Sequence, residues 1–498
     1  MNYTTKVKKV VIVGGGTAGW MAAASFSRLL GNSIEVTLVE SEEIATVGVG
    51  EATVPPLILL NRYLDINEQE FMAAVKGSIK LGISFENWRN VGENYIHPFG
   101  YTGKDTWAAS FQHFWRRGLD LGVNYPLSDY SVEYAAALQN KFAHMPNSTL
   151  TYAYHIDAGF YARFLRNLAE KAGATRIEGK VEDVILDKAQ HIQSIKLASG
   201  AIIEGDLFID CSGFRAVLIE QVLHTGFEHW SHWLPSDSAL AVQTESVREP
   251  VPYTRAIAHR AGWRWEIPLQ HRVGNGLVYC SRYMSDDEAK KTLLEQINGR
   301  LISEPKIIRF KAGQRLKYWN KNCVALGLAS GFIEPLESTS IHMIQRGITR
   351  LIQMFPHDGI RACDIDEYNA QMKTEVVTVR DFVVMHYHLT EREDSAFWRY
   401  CKNMPIAASL EHHIRLFRET GKIFVESPYK LFAEPSWLHI MVGQGVLPER
   451  YHVVANEMTD AELKKFLEDI RHYVKQTVQK MPSHHDYLQY YCKAAAWD

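Results

Sequence analysis

Three glycines constrain what the first forty residues can become. Gly14-x-Gly16-x-x-Gly19 follows Val10-Val11-Ile12-Val13, a β-branched run of the kind buried on both faces of a parallel sheet, and leads into residues 20–30, which are apolar and alanine-rich as in a helix. Residues 34–39 read as a second strand, so strand, turn, helix and strand fit within about 33 residues, the size of a βαβ unit. In that setting the glycines, with Thr17 and Ala18 in the same turn, permit a tight bend and a close approach of backbone N–H groups to a pyrophosphate at the positive helix end. Glu40, 21 residues beyond Gly19, can accept both ribose hydroxyls. The expectation is an α/β fold with a dinucleotide site for FAD or NAD(P).

Composition narrows the partner. The chain has 498 residues, 46% of them hydrophobic, enough for two or three packed domains. Lys+Arg 54 against Asp+Glu 57 gives a net charge of −3 with no block of five like charges, which predicts no nucleic acid and no anionic membrane as partner. A small molecule is expected instead. The basic start at Lys6, Lys8 and Lys9 precedes an apolar run, but the glycine turn interrupts the helix a signal peptide needs, and no 18-residue apolar window follows. A soluble, cytoplasmic protein is expected. Six scattered cysteines without a CxxC pair fit reduced thiols, and no structural zinc or other metal is predicted. His224, His229 and His232, the pair His412-His413 and the pair His484-His485 lack companion ligands at metal spacing and read as surface or packed histidines.

Further along, Asn67 with Glu70 three residues on resembles a capping box, and Phe71, Val75 and Ile79 share a face, so the spacing predicts a helix over 67–82 with Lys80 at its end. Residues 158–171 read as a helix, and residues 180–186, 194–197 and 207–210 read as strands rejoining the first sheet. Strands near 263–268 and 276–279 belong to a more antiparallel layer, and the pattern past residue 340 turns helical.

Two later segments favour FAD. Residues 207–213 (LFIDCSG) run from a buried strand into a small-residue turn, and residues 327–335 (GLASGFIEP) lead to a new helix. Each resembles a place where flavoproteins of the p-hydroxybenzoate hydroxylase superfamily bring backbone against the cofactor, although Leu328 stands where that superfamily usually has Asp. The residues then match a narrower family: GGGTAGW at 14–20, Gly48-Val49-Gly50-Glu51-Ala52-Thr53, Lys80 in SIKLGISFENW, Trp263-Arg264-Trp265-Glu266-Ile267-Pro268, Glu337-Ser338-Thr339-Ser340, and RDFVVMHYHLTEREDSAFW at 380–398. Together they resemble the flavin-dependent tryptophan halogenases over roughly residues 8–400.

That resemblance implies a p-hydroxybenzoate hydroxylase-type FAD-binding Rossmann-like domain joined to a mixed-sheet and helical substrate-binding region. Residues 1–100 would hold the glycine-rich unit and a catalytic-lysine helix, 101–155 a substrate-side insertion, 156–220 a second FAD-binding part, 221–310 substrate-side strands, 311–360 an FAD and halide part, and 361–498 a mainly helical substrate side. It implies a two-component reaction in which a separate flavin reductase supplies FADH2, oxygen and chloride or bromide become hypohalous acid, and that species reaches a lysine, here Lys80. The matching carboxylate is Glu337, placed to stabilise and deprotonate the halogenated arene. Thr339 and Ser340 match the halide site, with Ser340 where the family usually has Gly; Val181 and Leu336 match cofactor contacts. Trp263 and Trp265, two apart on a strand, share a side and would separate flavin from arene. His97, Phe99 and Phe432 match substrate-pocket positions for an indole or another electron-rich aromatic. Glu426 lies out of register with the family's amino-group ligand, so tryptophan itself is not assigned, and a homodimer stays open. A single-component FAD-dependent aromatic hydroxylase, and a flavin fold kept only for binding, are the competing readings.

Overall fold

A computed structural model describes residues 6–43, 51–145, 150–425 and 431–494. The chain divides into two compact units, each built from three stretches: Met1–Val75, Ile156–Ser231 and Arg309–Thr378 in the first, Lys76–His155, His232–Ile308 and Val379–Asp498 in the second.

The first unit is organised by a six-stranded sheet in which Lys9–Val13 pairs in parallel with both Glu35–Glu40 and Leu207–Asp210, the geometry the βαβ reading requires. Thr175–Glu178 and Cys323–Ala325 extend it in parallel, and Trp319–Asn320 closes one edge antiparallel. The helices Thr17–Leu30, Ala158–Lys171 and Ser340–Gln353 belong to this unit, with the first packed against the other two. Val181–Leu186 and Ile192–Leu197 do not rejoin that sheet: with Ile202–Glu204 they form a separate antiparallel sheet of three strands. The reason is visible in burial. Ile192, Ile195 and Leu197 enter a core with Val11, Phe208 and Leu218, while much of Val181–Leu186 stays exposed, as in a sheet covered on one face.

The second unit holds a seven-stranded mixed sheet. Its centre is the antiparallel run Thr254–His259, Gly262–Pro268, Val273–Tyr279 and Ser238–Thr244; Gly82–Glu86 adds in parallel beside Thr254–His259, and Asn94–Pro98 pairs antiparallel with Gly82–Glu86. Register puts Tyr95, Phe85, Ala256 and Trp265 in one row, so these side chains share a face, and Trp263 and His97 project to the same side. The alternate positions turn the other way, where Arg255 pairs with both Glu86 and Glu266. One strand thus presents indole rings to one side and charge to the other.

The helix expected over 67–82 ends early. Asn67 does cap it, its side chain accepting the Glu70 N–H at 3.0 Å, but the helix covers Glu68–Ala74 only. Lys76 sits at φ +49, a left-handed conformation that stops the helix, and Ser78–Lys80 is a strand paired antiparallel with Ala153–Ile156. Lys80 is therefore a buried strand residue, and the catalytic-lysine helix is corrected to a lysine strand.

Candidate active site

In the first unit the three segments expected to face a cofactor come together. Gly14 has φ +115, and a Cβ there would stand 2.3 Å from the Cys211 carbonyl oxygen, so the turn and the Cys211 segment touch backbone to backbone. A Cβ on Gly19 would meet Gly14 O at 1.8 Å. Gly327, at φ +61, lies against the Ala18 side chain. Gly16 differs: a Cβ there would meet no atom of the described residues within 4 Å, so among them the space above it is open. The helix Thr17–Leu30 begins without a side-chain cap or an acidic residue in its first turn, and its first helical bond is Trp20 N–H to Gly16 O. The N–H groups of Thr17, Ala18 and Gly19 precede that bond at the positive helix end. This cradle fits a dinucleotide pyrophosphate.

Glu40 ends its strand beside the turn, its carboxylate over Gly15. Sequence reasoning missed its partner: Arg176 Nε donates to Glu40 Oε1 at 2.5 Å, which leaves Oε2 as the oxygen nearer the turn. It also missed Asp210, whose buried carboxylate accepts from Ser212 and from the N–H groups of Leu218 and Ile219, fixing the Cys211 turn. An aspartate ending a strand before Ser-Gly was the available signal. Val181 opens its strand and packs on the core of this unit. Gly48, Val49 and Gly50 lie outside the described residues, as does Glu426. Glu51 is half-buried, and desolvation pushes its carboxyl up to about 7.

Leu336 and Glu337 are buried in a 3₁₀ turn, Pro335–Glu337, followed by Ser338 at φ +58 and by Thr339 at the N-cap of Ser340–Gln353. That helix too starts without a side-chain cap or a first-turn acid, and its first bond is Met343 N–H to Thr339 O. The N–H groups from Ser340 onward give the site the character of an anion cradle beside a carboxylate.

The second unit holds Lys80, His97, Phe99, Trp263, Trp265 and Phe432. Lys80 is 0% exposed, opposite the small side chain of Ala153, and its Nζ lies 5.1 Å from the centre of the Phe99 ring. His97 and Phe99 meet edge to face with ring centres 6.2 Å apart. Phe382 continues the cluster: 5.8 Å from His97, stacked on Phe432 at 3.7 Å and 11°, and edge-on to Trp437. Phe382, on the helix Ala362–His388, had no role assigned from sequence, although apolar spacing alone marks it as buried. Trp263 and Trp265 stand 6.1 Å apart on the shared sheet face; a Cβ on Gly276 would strike the Trp265 ring at 1.9 Å, so that glycine makes room for the indole.

Behind the lysine strand runs a buried polar chain. Ser78 Oγ donates to Pro268 O at 2.6 Å, so it accepts from His155 Nδ1–H at 2.9 Å, and His155 Nε2 in turn accepts from Thr254 Oγ1 at 2.9 Å. Burial, then the nearby Lys80 and His484, hold His155 well below the usual histidine range, so it is neutral.

The first unit holds a dinucleotide cradle with an anion-favouring turn and the second a buried lysine at an aromatic cluster, features of the kind an FAD-dependent oxidoreductase needs. The sequence model of the tryptophan halogenase family matches residues 9–460. The chain is 35% identical to a 7-chloro-L-tryptophan 6-halogenase of Kutzneria sp., over 96% of this chain and 98% of that protein. A flavin-dependent halogenase structure from Xanthomonas campestris superposes with a TM-score of 0.97 at 54% identity, covering 99% of this chain and 100% of that one. BrvH, a flavin-dependent halogenase from Brevundimonas sp. BAL3, gives a TM-score of 0.93 at 40% identity, covering 98% and 99%. The chain belongs to the tryptophan halogenase family and is a flavin-dependent halogenase.

Proposed function

We propose that the chain halogenates an electron-rich, indole-type arene with chloride or bromide, using FAD delivered in reduced form by a separate flavin reductase, with Lys80 and Glu337 as its catalytic groups. Bound FADH2 supplies the electrons that let oxygen convert halide to hypohalous acid. The open space at Gly16 and the uncapped helix start at Thr17 and Ala18 support pyrophosphate binding, with Gly14, Gly19, Glu40, Val181 and Leu336 shaping the rest of the cofactor site. Thr339 and Ser340 would hold the halide at the second uncapped helix start.

The observation that carries the reading is Lys80. An amine with no solvent exposure, against an aromatic ring, suits a group that must meet a reactive electrophile away from water. It would hold the halogen equivalent either as hydrogen-bonded hypohalous acid or as a haloamine. Glu337, equally buried, would offset positive charge on the ring and take the proton that halogen displaces. His97, Phe99 and Phe432 would hold the arene by its faces, and the rings of Trp263 and Trp265 would keep it apart from the flavin.

The test supplies FAD, a flavin reductase, NADH and bromide or chloride with a panel of indoles, read by mass spectrometry. Wild type is expected to give a halogenated arene. Lys80→Ala and Glu337→Gln should each abolish product while FAD affinity stays unchanged; full activity in either variant overturns that residue's role.

A further inference from the structure

The strand that carries Lys80 is three residues long, too short to hold an amine in place by its own ladder. On one side it pairs with Ala153–Ile156, with Ser78 opposite His155 and Lys80 opposite Ala153. It is the edge strand of its sheet, and the N–H of Ile79, between Ser78 and Lys80, is bonded to a side chain rather than to a neighbouring strand. Ile79 N–H donates to His484 Nε2 at 3.1 Å, and His484 Nδ1–H donates to Pro250 O at 2.7 Å. A carbonyl can only accept, so the hydrogen is on Nδ1 and Nε2 is the free acceptor. Both imidazole nitrogens are used, and the bond accepted from Ile79 N–H needs the neutral ring. Burial supplies that state, pushing His484 down to about 4.

His484 opens the C-terminal helix His484–Tyr491, and its own N–H donates to Asn140 O at 2.7 Å, so the imidazole is anchored at its backbone as well. The segment after this helix reaches the same stretch of chain. Gln270 Nε2 donates to Gly77 O at 2.7 Å and to Cys492 O at 3.0 Å, while Ala494 N–H donates to Gln270 Oε1 at 2.8 Å. Residues beyond 460, where the family match ends, thus brace Gly77 through Gln270 and bond Ile79 inside the strand directly.

We propose that His484 is a positioning residue for Lys80, an uncharged bracket that closes the open edge of the lysine strand and aims the amine at the arene. The proposal rests on the catalytic role of Lys80 given above. A bracket of this kind has a signature that general stability does not. If Lys80 swings free, the oxidised halogen equivalent is still made but is not handed on, so coupling fails while flavin turnover continues.

His484→Leu removes the acceptor at similar volume; His484→Gln keeps a carbonyl that can accept from Ile79 N–H and an amide that can donate to Pro250 O. His485→Ala serves as the neighbouring control. Three quantities are read: flavin oxidised, halogenated indole, and halogenated diffusible trap, with hydrogen exchange of residues 76–82 followed in the protein without flavin. In His484→Leu the yield of halogenated indole per flavin oxidised should fall about tenfold or more, as expected for a misplaced reacting group. Trap halogenation should rise, and 76–82 should exchange faster; His484→Gln and His485→Ala should behave as wild type on all three. A folded His484→Leu protein with wild-type coupling overturns the proposal, and so does a His484→Gln protein as defective as the leucine variant. If the leucine variant does not fold, His484→Asn, whose amide is too short to span both partners, is judged by the same criteria. Wild type yielding no Lys80-dependent product overturns the catalytic reading instead, a result separable from the exchange of 76–82.

Discussion

Two glycines two positions apart illustrate how far a residue's role can be read from its surroundings. Gly14 is required by the protein itself, since its φ of +115 and the Cys211 carbonyl 2.3 Å from any Cβ make a side chain there a clash with backbone. Gly16 is at φ −76 with open space around it, so nothing among the described residues demands glycine. Gly14→Ala should therefore destabilise the flavin-free protein, whereas Gly16→Ala should cost only about 1 kcal/mol as a poorer N-cap and yet weaken FAD binding sharply. Thermal melts without flavin and a fluorescence titration with FAD separate the two; unchanged FAD affinity in Gly16→Ala would remove the pyrophosphate from that spot. The motif was legible because every part of it is local. Glu40 was legible as a strand end but not as the partner of Arg176, because that contact joins residues 136 apart in the sequence.

Among elements, those with their own pattern were readable and those made by distant partners were not. The helix Ala158–Lys171 follows from its amphipathic spacing, and the strand Leu207–Asp210 from its apolar run. Ser78–Lys80 has no such signature. Ile79 continues the helical spacing of Phe71 and Val75, and only pairing with Ala153–Ile156 and the bond to His484 make the segment extended, a case of tertiary contacts overriding local periodicity. The aromatic cluster was half legible: His97, Phe99 and Phe432 came from motif positions, but the stack of Phe432 on Phe382 joins a loop to a helix. That stack fixes Phe432, proposed above as an arene-holding ring. Phe432→Ala should cost about 3–5 kcal/mol, the usual loss for a buried ring. It should also raise kcat/KM for arenes bulkier than indole relative to indole itself. Denaturant melts and a graded substrate panel measure both, and an unaltered selectivity in the folded variant would take Phe432 out of the arene pocket.

At the scale of the whole molecule, the buried ionisable groups set an optimum pH for stability. His113, His155, His191, His259, His342, His388, His439 and His484 are all held below the ordinary histidine value of 6.5, in each case mainly by burial. The unfolded chain takes up protons below 6.5 that the folded chain refuses until about 4 for His113 and His484, so stability present above 6.5 drains away as the pH falls through that window. Three carboxyls, Glu51, Glu133 and Glu434, act in the opposite sense, each raised mainly by burial. Burial raises Glu51 to about 7 and Glu133 to about 8, the latter against the opposing hydrogen bond from the Thr151 N–H. Their contribution is complete below 4.5 and is lost as the pH climbs to about 8, because the unfolded chain gives up these protons first. From 4.5 to 6.5 both slopes operate, and eight histidines outweigh three carboxyls, so stability should rise with pH; above 6.5 the histidine slope ends and the carboxyl slope remains. The flavin-free protein should melt highest between about pH 6 and 7. Glu133→Gln, which cannot ionise, should flatten the decline between pH 7 and 8 without moving the acid limb. Melts across the range decide the matter: a melting temperature that keeps rising beyond pH 8, or a glutamine variant with the same alkaline decline, would mean that Glu133 is not held as the neutral acid.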